Sequence, residues 1–259
     1  MEPHVGWDEL PAAVRAVVEE RDGEVLSAET VPEGITCRTA LILSTATARL
    51  FLKGALVADR GSWEAQRMEA GVNAAVGGVG PAMRWEAVVD GWHLVAFDHV
   101  DGRHADLTPR SGDAAIVADV LRRARSCRAP GGGLVPSLAE RYRRVLRPGD
   151  AEALEGSSLL HTDTNPHNLL IASRCGYLVD WAMPAVGPAW VDAAQTAVRL
   201  MGYGWEPRDA RAWLGGFPEW EHAARAGRAV FVRVVSDDAT ARFGPYAEGE
   251  NARFRALLG

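Results

Sequence analysis

Lysine is almost missing from this chain of 259 residues. Of its 28 basic residues 27 are arginine, and the only lysine is Lys53. The cysteines, Cys37, Cys127 and Cys175, show none of the paired spacings of zinc or redox motifs, so we expect reduced thiols. No stretch reaches the roughly 20 consecutive apolar residues of a membrane span, and the first ten residues lack a basic and then apolar signal. The sequence predicts a cytoplasmic protein without a membrane partner.

An excess of positive charge is also absent. The formal net charge is -6, so no overall positive field attracts nucleic acid, and we expect no nucleic-acid partner. Apolar residues make up 47% and charged residues 24% of the chain, which is typical of a folded globular protein and excludes disorder, collagen and coiled coil. The length allows one large domain or two small lobes. We expect a monomer or a homodimer.

The single lysine ends an apolar run, Ala48–Lys53, that predicts a strand. The abundance of alanine, glycine and arginine indicates a GC-rich genome, in which lysine drifts to arginine wherever only positive charge matters. A compact ammonium can do what a wide guanidinium cannot. We therefore interpret Lys53 as a functional residue, with chance survival as the alternative.

Two types of pattern follow one another along the chain. The first hundred residues predict three strands, a helix and two strands, which is typical of an antiparallel sheet, and helical patterns follow. The predicted boundary lies at Asp98–Gly102, which divides the chain into residues 1–99 and 100–259. The predicted elements are the helices Pro11–Glu20, Trp63–Val76 with Ser62 as its cap, Ser111–Cys127 and Ser137–Leu146, and the strands Glu24–Thr30, Arg38–Thr45, Ala48–Lys53, Pro81–Val89 and Trp92–Phe97.

A polar turn between short apolar strands carries the most chemistry. It reads His161-Thr162-Asp163-Thr164-Asn165-Pro166-His167-Asn168, and Asp180 follows twelve residues later at the end of a strand. Phosphoryl transfer from a nucleotide needs a carboxylate for the proton of the attacking hydroxyl, oxygen ligands for Mg²⁺ and a cation on the phosphates. The candidates for these three roles are Asp163, the pair Asn168 and Asp180, and Lys53.

Other interpretations of these residues are available. His161, Asp163 and His167 could form a zinc site, but amide and carboxylate oxygens suit a hard cation such as Mg²⁺ better. We interpret both histidines as residues that hold the turn. Either aspartate alone could be an ordinary turn or strand-end acid, and only the joint spacing favours catalysis.

The motif H-x-D-x-x-x-x-N, followed by an apolar strand ending in Asp180-Trp181, resembles the aminoglycoside phosphotransferase and choline kinase family. The segment Gly187–Ala194 resembles that family's Gly-(Asp/Pro)-x-x-x-Asp-hydrophobic-Ala pattern. The resemblance covers nearly the full chain. It implies an α+β, bilobal, protein-kinase-like fold, with an N-terminal antiparallel five-stranded sheet, one main helix and a mostly helical C-terminal lobe. Residues 1–99 would bind nucleotide, and residues 100–259 would carry the catalytic residues and bind the acceptor.

The resemblance also implies roles for single residues. Asp163 matches the catalytic base, Asn168 and Asp180 match the ligands of Mg²⁺, and Lys53 matches the lysine on the α and β phosphates. As the helix partner of Lys53 we predict Glu64, with Glu69 as the alternative.

Three further positions follow from the same comparison. Backbone groups near Asp98 and His99 are predicted to contact the base of ATP or GTP, between which the sequence does not choose. Asp192 is predicted to hold the catalytic segment by hydrogen bonds. Thr162 stands where the family most often has glycine, and the loop over the phosphates, Pro32–Arg38, has a single glycine.

The implied activity is transfer of the γ-phosphoryl group to a hydroxyl of an antibiotic or related natural product, for resistance or self-protection. Residues 190–259 hold nine acids and nine arginines, so a nucleoside or peptide antibiotic, an amino alcohol or a sugar fits at least as well as a polycation. Trp205, Trp213 and Trp220 are candidates for an acceptor wall. A non-catalytic nucleotide-binding scaffold is an alternative. A protein kinase is disfavoured because only eleven residues separate Asp180 from Asp192.

Overall fold

The computed structural model describes residues 4–32 and 37–259. These residues form two compact units, of which the first runs to Asp101 and also includes Val179–Met183, and the second comprises Gly102–Leu178 and Pro184–Gly259. The predicted loop Pro32–Arg38 falls largely on residues 33–36, which lie outside the described residues. Within the described ranges, no helix is both long and apolar enough to cross a membrane.

The first unit contains a five-stranded antiparallel sheet with the strand order β1-β2-β3-β5-β4. This agrees with the predicted pattern of strands. Its elements are α1 Ala12–Asp22, β1 Val25–Thr30, β2 Thr39–Thr45, β3 Arg49–Leu56, α2 Arg60–Val72, β4 Met83–Val89 and β5 Trp92–Asp98.

The two faces of this sheet pack against different partners. Alternate residues of β3 point to opposite faces, and Leu50 and Leu52 join the apolar core that contains Val14 and Val18 of α1. On the other face Phe51 packs with Ala70 of α2, Val95 and Phe97. The alternation therefore places Lys53, two residues after Phe51, on the face that α2 covers.

Local interactions fix the turn between β4 and β5 and the start of α2. Asp90 and Gly91 both have positive φ, 48° and 76°, as a two-residue hairpin turn requires. The predicted cap of α2 is wrong, because the side chain of Asp59 accepts the hydrogen bond from the backbone N–H of Ser62. The helix consequently begins at Arg60.

The second unit is mostly helical, as predicted, with two small antiparallel sheets of order β6-β8-β9 and β10-β7. The predicted helix Ser137–Leu146 is a single turn, because beyond it backbone N–H groups bond three residues back, as Val145 does to Tyr142. The elements are β6 Arg103–His104, α3 Asp113–Ala124, α4 Leu138–Arg141, α5 Asp150–Ala153, β7 Ser158–Leu160, β8 Leu169–Ala172, β9 Cys175–Leu178, β10 Ala185–Gly187, α6 Val191–Gly202, α7 Pro207–Leu214, α8 Pro218–His222, α9 Arg225–Phe243 and α10 Glu248–Ala256.

Candidate active site

Lys53 lies at the centre of a buried charge cluster in the first unit. Its Nζ donates to Glu69 Oε1 and Oε2, at 3.0 and 2.8 Å, and to Asp180 Oδ1 at 2.8 Å. The side chains of Lys53 and Glu69 are 8% and 6% exposed, and that of Asp180 is 27% exposed. We call these three residues the Lys53 cluster. It joins strand β3, helix α2 and the segment Val179–Met183.

Glu64, the predicted partner of Lys53, does not take part in this cluster. Its carboxylate pairs with Arg60, 3.3 Å away, and both side chains are exposed. Five residues along a helix correspond to about 140° of rotation at 3.6 residues per turn, so Glu64 and Glu69 cannot face the sheet together. The prediction of Glu64 is wrong, and the alternative, Glu69, is the partner.

Charge holds this buried lysine ionised. Burial by itself would lower the pKa of Lys53, but the carboxylates of Glu69 and Asp180 outweigh burial and raise the pKa above its ordinary value. Burial likewise raises the pKa of the Cys37 thiol, to about 11, although Lys53 opposes this. The cluster therefore contains an ammonium and leaves the neighbouring thiol protonated.

The uniqueness of Lys53 makes this ionisation measurable. In protein labelled with [13Cε]lysine, we expect one resonance whose titration midpoint lies above that of an ordinary lysine, which titrates near about pH 10.4. The pKa of Lys53 is higher in the folded state than in the unfolded state. The stabilisation that the ionised Lys53 contributes is therefore complete below its unfolded-state pKa, and it is lost as pH rises through its folded-state pKa. A midpoint below about pH 10 in the folded protein would contradict the ion pairing.

The predicted catalytic turn, His161–Asn168, forms a loop in the second unit. Hydrogen bonds to side chains of α6 hold this loop in place. Asp192 accepts hydrogen bonds from the backbone N–H groups of His161 and Thr162, at 2.8 and 2.9 Å. Burial raises the pKa of Asp192, which His161 and these two N–H groups oppose. Thr196, one helical turn further, donates to Thr164 at 2.8 Å. These bonds confirm the predicted holding role of Asp192.

Two amides inside this loop fix the carboxylate of Asp163. Asn165 Nδ2 donates to Oδ1 at 2.9 Å, and Asn168 Nδ2 donates to Oδ2 and to the backbone oxygen of Asp163, both at 3.0 Å. Asn165 also caps the short turn Pro166–Asn168. Because the nitrogen of Asn168 faces Asp163, its amide oxygen points elsewhere and can ligate a cation.

Two of the residues that the sequence singled out have a left-handed backbone. Thr162 has φ 66° and Asp180 has φ 63°, a region that non-glycine residues seldom occupy and that is often found at functional sites. This region favours glycine, which is the residue that the resemblance most often places at the position of Thr162. In this chain the bond from the Thr162 N–H to Asp192 holds the strained turn.

Asp98 and His99 lie where β5 ends. The Asp98 side chain pairs with Arg84 at 3.0 Å, and the backbone N–H groups of Asp98 and His99 donate to Ala82 and Arg49. These two N–H groups therefore already have partners within the first unit, and the contact of backbone groups near Asp98 and His99 with a nucleotide base stays a prediction.

Sequence reasoning missed Arg141, at the end of α4. A Cβ at Gly187 would lie 2.9 Å from Leu160 and 3.1 Å from Leu138, so this glycine lets α4 pack closely against β10 and β7, and β7 leads into the catalytic loop. Arg141 lies one turn after Leu138. Burial lowers the pKa of Arg141, and the nearby Asp163 opposes this. Its signal in the sequence, one arginine among many, was not distinctive.

The tryptophans considered as an acceptor wall make contacts within the second unit. Trp205 Nε1 donates to the Leu107 carbonyl at 2.9 Å, and Trp213 Nε1 donates to that of Ala114 at 3.0 Å. Trp220 is 4% exposed. Their indole N–H groups or surfaces are used within the second unit.

The donor set suits magnesium better than zinc. The amide oxygen of Asn168 and the carboxylate of Asp180 are hard oxygen ligands of the kind that Mg²⁺ prefers. His161 Nδ1 accepts the backbone N–H of Asp163 at 3.3 Å, so this nitrogen holds the turn. In the part of the chain that the structure describes, no group of three or more His, Cys, Asp or Glu residues could hold a metal ion.

Comparison with known proteins identifies the family of this chain. The sequence profile of the phosphotransferase enzyme family, abbreviated APH, matches residues 94–231, more than half of the chain. The chain belongs to this family. Its members are small-molecule kinases with a nucleotide co-substrate, and the predicted enzyme class, a phosphotransferase with an alcohol group as acceptor, is confirmed. Among curated protein sequences, no significant match to this phosphotransferase is found.

Solved structures similar to this phosphotransferase confirm the predicted α+β, protein-kinase-like fold. A microcompartment-associated aminopropanol kinase has a TM-score of 0.60 at 14% identity, with 95% of each chain covered. Choline kinase LicA from Streptococcus pneumoniae has 0.57 at 13%, covering 95% of this chain and 98% of its own. An aminoglycoside-3'-phosphotransferase of type VIII has 0.52 at 19%, covering 95% and 96%. At these identities the similarity concerns the fold alone.

Proposed function

We propose that this phosphotransferase transfers the γ-phosphoryl group of ATP or GTP to a hydroxyl of an antibiotic or related natural product, with resistance or self-protection as its purpose. The observation that carries the proposal is the carboxylate of Asp163, which Asn165 and Asn168 hold in a loop anchored by Asp192. A general base must have a fixed position relative to the proton that it accepts.

Each residue has a distinct role in this reaction. Asp163 orients the acceptor hydroxyl and takes its proton. Asn168 and Asp180 would hold Mg²⁺, which, when bound, neutralises charge on the phosphate oxygens. Lys53, kept ionised by Glu69, binds the α and β phosphates. Positioning and electrostatic stabilisation supply most of the reduction in barrier.

The β8–β9 hairpin supports the pairing of the two metal ligands. Leu169 and Leu178 are register partners in this hairpin. Asn168 directly precedes the first, and Asp180 follows the second by two residues. Both candidate ligands therefore lie within two residues of this register pair along the sequence.

The charges of the second unit favour an acceptor with little positive charge. Asp238 pairs with Arg242 at 3.1 Å, and Glu250 pairs with Arg199 at 3.0 Å, so both acids already have a cationic partner. Arg141 adds a further positive charge beside Asp163. A polycation such as an aminoglycoside would meet repulsion from Arg141, and these two acids are already paired.

A small metabolite with an alcohol group, such as an amino alcohol, a sugar or a nucleoside, is the second candidate acceptor. It is favoured because the structurally similar proteins include a choline kinase and an aminopropanol kinase. A non-catalytic scaffold is disfavoured, since the sequence lacks none of the residues proposed as base, metal ligands and phosphate-binding lysine.

A screen for ADP or GDP release against hydroxylated antibiotics and metabolites tests the proposal. The panel pairs each cationic acceptor with a neutral one of similar size, and Asp163→Ala protein serves as the blank. We expect turnover with a weakly charged acceptor. Nucleotide binding without transfer to any acceptor would favour the scaffold, and turnover restricted to polycations would contradict the charge argument.

A further inference from the structure

A buried polar connection joins helix α2 to the sheet one turn before Glu69. Gln66 Nε2 donates to the backbone oxygen of His93 at 2.7 Å and approaches His93 Nδ1 at 3.2 Å. Gln66 is 2% exposed and His93 is 1% exposed. This contact lies outside the Lys53 cluster, and no step of the proposed reaction uses it.

Strand register puts this contact beside the ion pair. Lys53 is opposite Val95 and Ala55 is opposite His93 in the pairing of β3 with β5. His93 and Val95 are two residues apart, about 7 Å along the strand and on the same face. Gln66 and Glu69 are about 5 Å apart along the helix axis and also share a face. The two contacts are therefore successive links between α2 and the sheet.

The third member of the connection fixes where the protons lie. His93 Nε2 donates to Glu86 Oε1 at 2.6 Å, so the Nε2–H tautomer leaves Nδ1 as an acceptor for Gln66. In this orientation both N–H groups of Gln66 point at His93. A rotated amide would place its oxygen against the His93 carbonyl, which is repulsive, so the amide has one orientation.

Packing alone does not account for an amide at this position. Gln66 Oε1 is buried and has no hydrogen-bond partner among residues 4–32 and 37–259. An apolar side chain of similar size would avoid that unpaired atom. The glutamine therefore gives α2 a fixed attachment rather than the most favourable burial.

We propose that Gln66 and His93 are positioning residues that set α2 on the sheet so that Glu69 holds Lys53. They touch neither nucleotide nor acceptor and act through the Lys53 cluster. The inference rests on the proposed function only in assigning the nucleotide phosphates to Lys53. The attachment of α2 to the sheet is tested without any substrate.

The only lysine of the chain supplies the test. In [13Cε]lysine-labelled protein, Glu69→Gln defines the resonance of Lys53 without its helix partner. We expect Gln66→Leu to move the resonance toward that position, and the double variant Gln66→Leu/Glu69→Gln to show no further change. Glu64→Gln, on the exposed face of the same helix, should leave the resonance unchanged. Thermal unfolding of each variant separates this effect from loss of fold.

A second pair of variants keeps the proposal open to refutation if Gln66→Leu does not fold. Asparagine at position 93 retains an acceptor near the position of Nδ1, so His93→Asn should preserve the resonance, whereas His93→Leu should shift it. An unshifted resonance in folded Gln66→Leu or folded His93→Leu overturns the proposal. If the wild-type protein did not bind Mg·ATP, that result would count against the proposed function. It would leave the inference about Gln66 and His93 unaffected.

Discussion

Replacing Asp163 by alanine is expected to lower kcat by at least about a hundredfold, within the range measured for loss of a general base, and to leave the affinity for nucleotide nearly unchanged. The carboxylate is fixed by the amides of Asn165 and Asn168, which hold it in one position within the loop. Its loss therefore removes the proton acceptor. Steady-state kinetics with the acceptor from the screen and calorimetric titration with nucleotide measure the two effects.

Alanine is the informative substitution at this position. An asparagine would turn an amide nitrogen toward the amide nitrogens of Asn165 or Asn168, and the resulting repulsion would disturb the loop. With alanine, Asn168 still donates to the backbone oxygen of residue 163. Asp119→Ala, at an exposed aspartate of α3 that pairs with Arg122, is the matched control and should keep full activity. An unchanged kcat in Asp163→Ala would remove this residue from the mechanism.

Motif spacing was sufficient to find two pairs of polar residues that contact each other. The sequence identified Lys53 and Asp180, which bond to each other, and Asp163 and Asn168, which also bond to each other. Lys53 lies within a short apolar strand, Asp163 and Asp180 follow one, and Asn168 directly precedes one. Such strands are recognisable from composition alone. The fold class could be predicted for the same reason, since the patterns of strands and helices occupy separate parts of the chain.

The helix partner of Lys53 could not be predicted in this way. The buried residues of α2 are Gln66, Glu69, Ala70 and Val72, and two of these four residues are polar. A helix whose inner face carries an amide and a carboxylate has no clear apolar stripe, so its orientation was ambiguous. The contacts that decide it come from His93 and Lys53, which are distant in sequence.

The surroundings of Asp163 show the same limit. The bonds from Asp192 and Thr196 to the loop join residues about thirty positions apart, and Arg141 approaches through the packing of α4 on β10. Single-turn helices and close glycine contacts leave little periodicity in a sequence. Tertiary packing, rather than local pattern, therefore determines which charges surround the base.

Replacing Lys53 by methionine is expected to lower the free energy of unfolding at pH 7 by about 3 kcal/mol, because removal of one partner leaves a buried charge uncompensated. Glu69 is 6% exposed and loses both hydrogen bonds from Nζ, whereas Asp180, at 27%, can be hydrated. Most of the destabilisation should therefore arise at Glu69. Urea denaturation of the wild-type protein and the variant measures it.

The pH dependence and a second substitution identify the source of this loss. Without Lys53, burial raises the pKa of Glu69 unopposed by the ammonium, so the folded state binds a proton that the unfolded state releases near about pH 4.3. The destabilisation by Lys53→Met should accordingly shrink as pH falls from 8 to 5. The double variant Lys53→Met/Glu69→Met should recover most of the lost stability, because apolar groups of similar size can replace a buried ion pair at little cost. If the double variant is as unstable as Lys53→Met at every pH, the uncompensated carboxylate of Glu69 is not the cause of the destabilisation, and the loss must arise elsewhere in the Lys53 cluster.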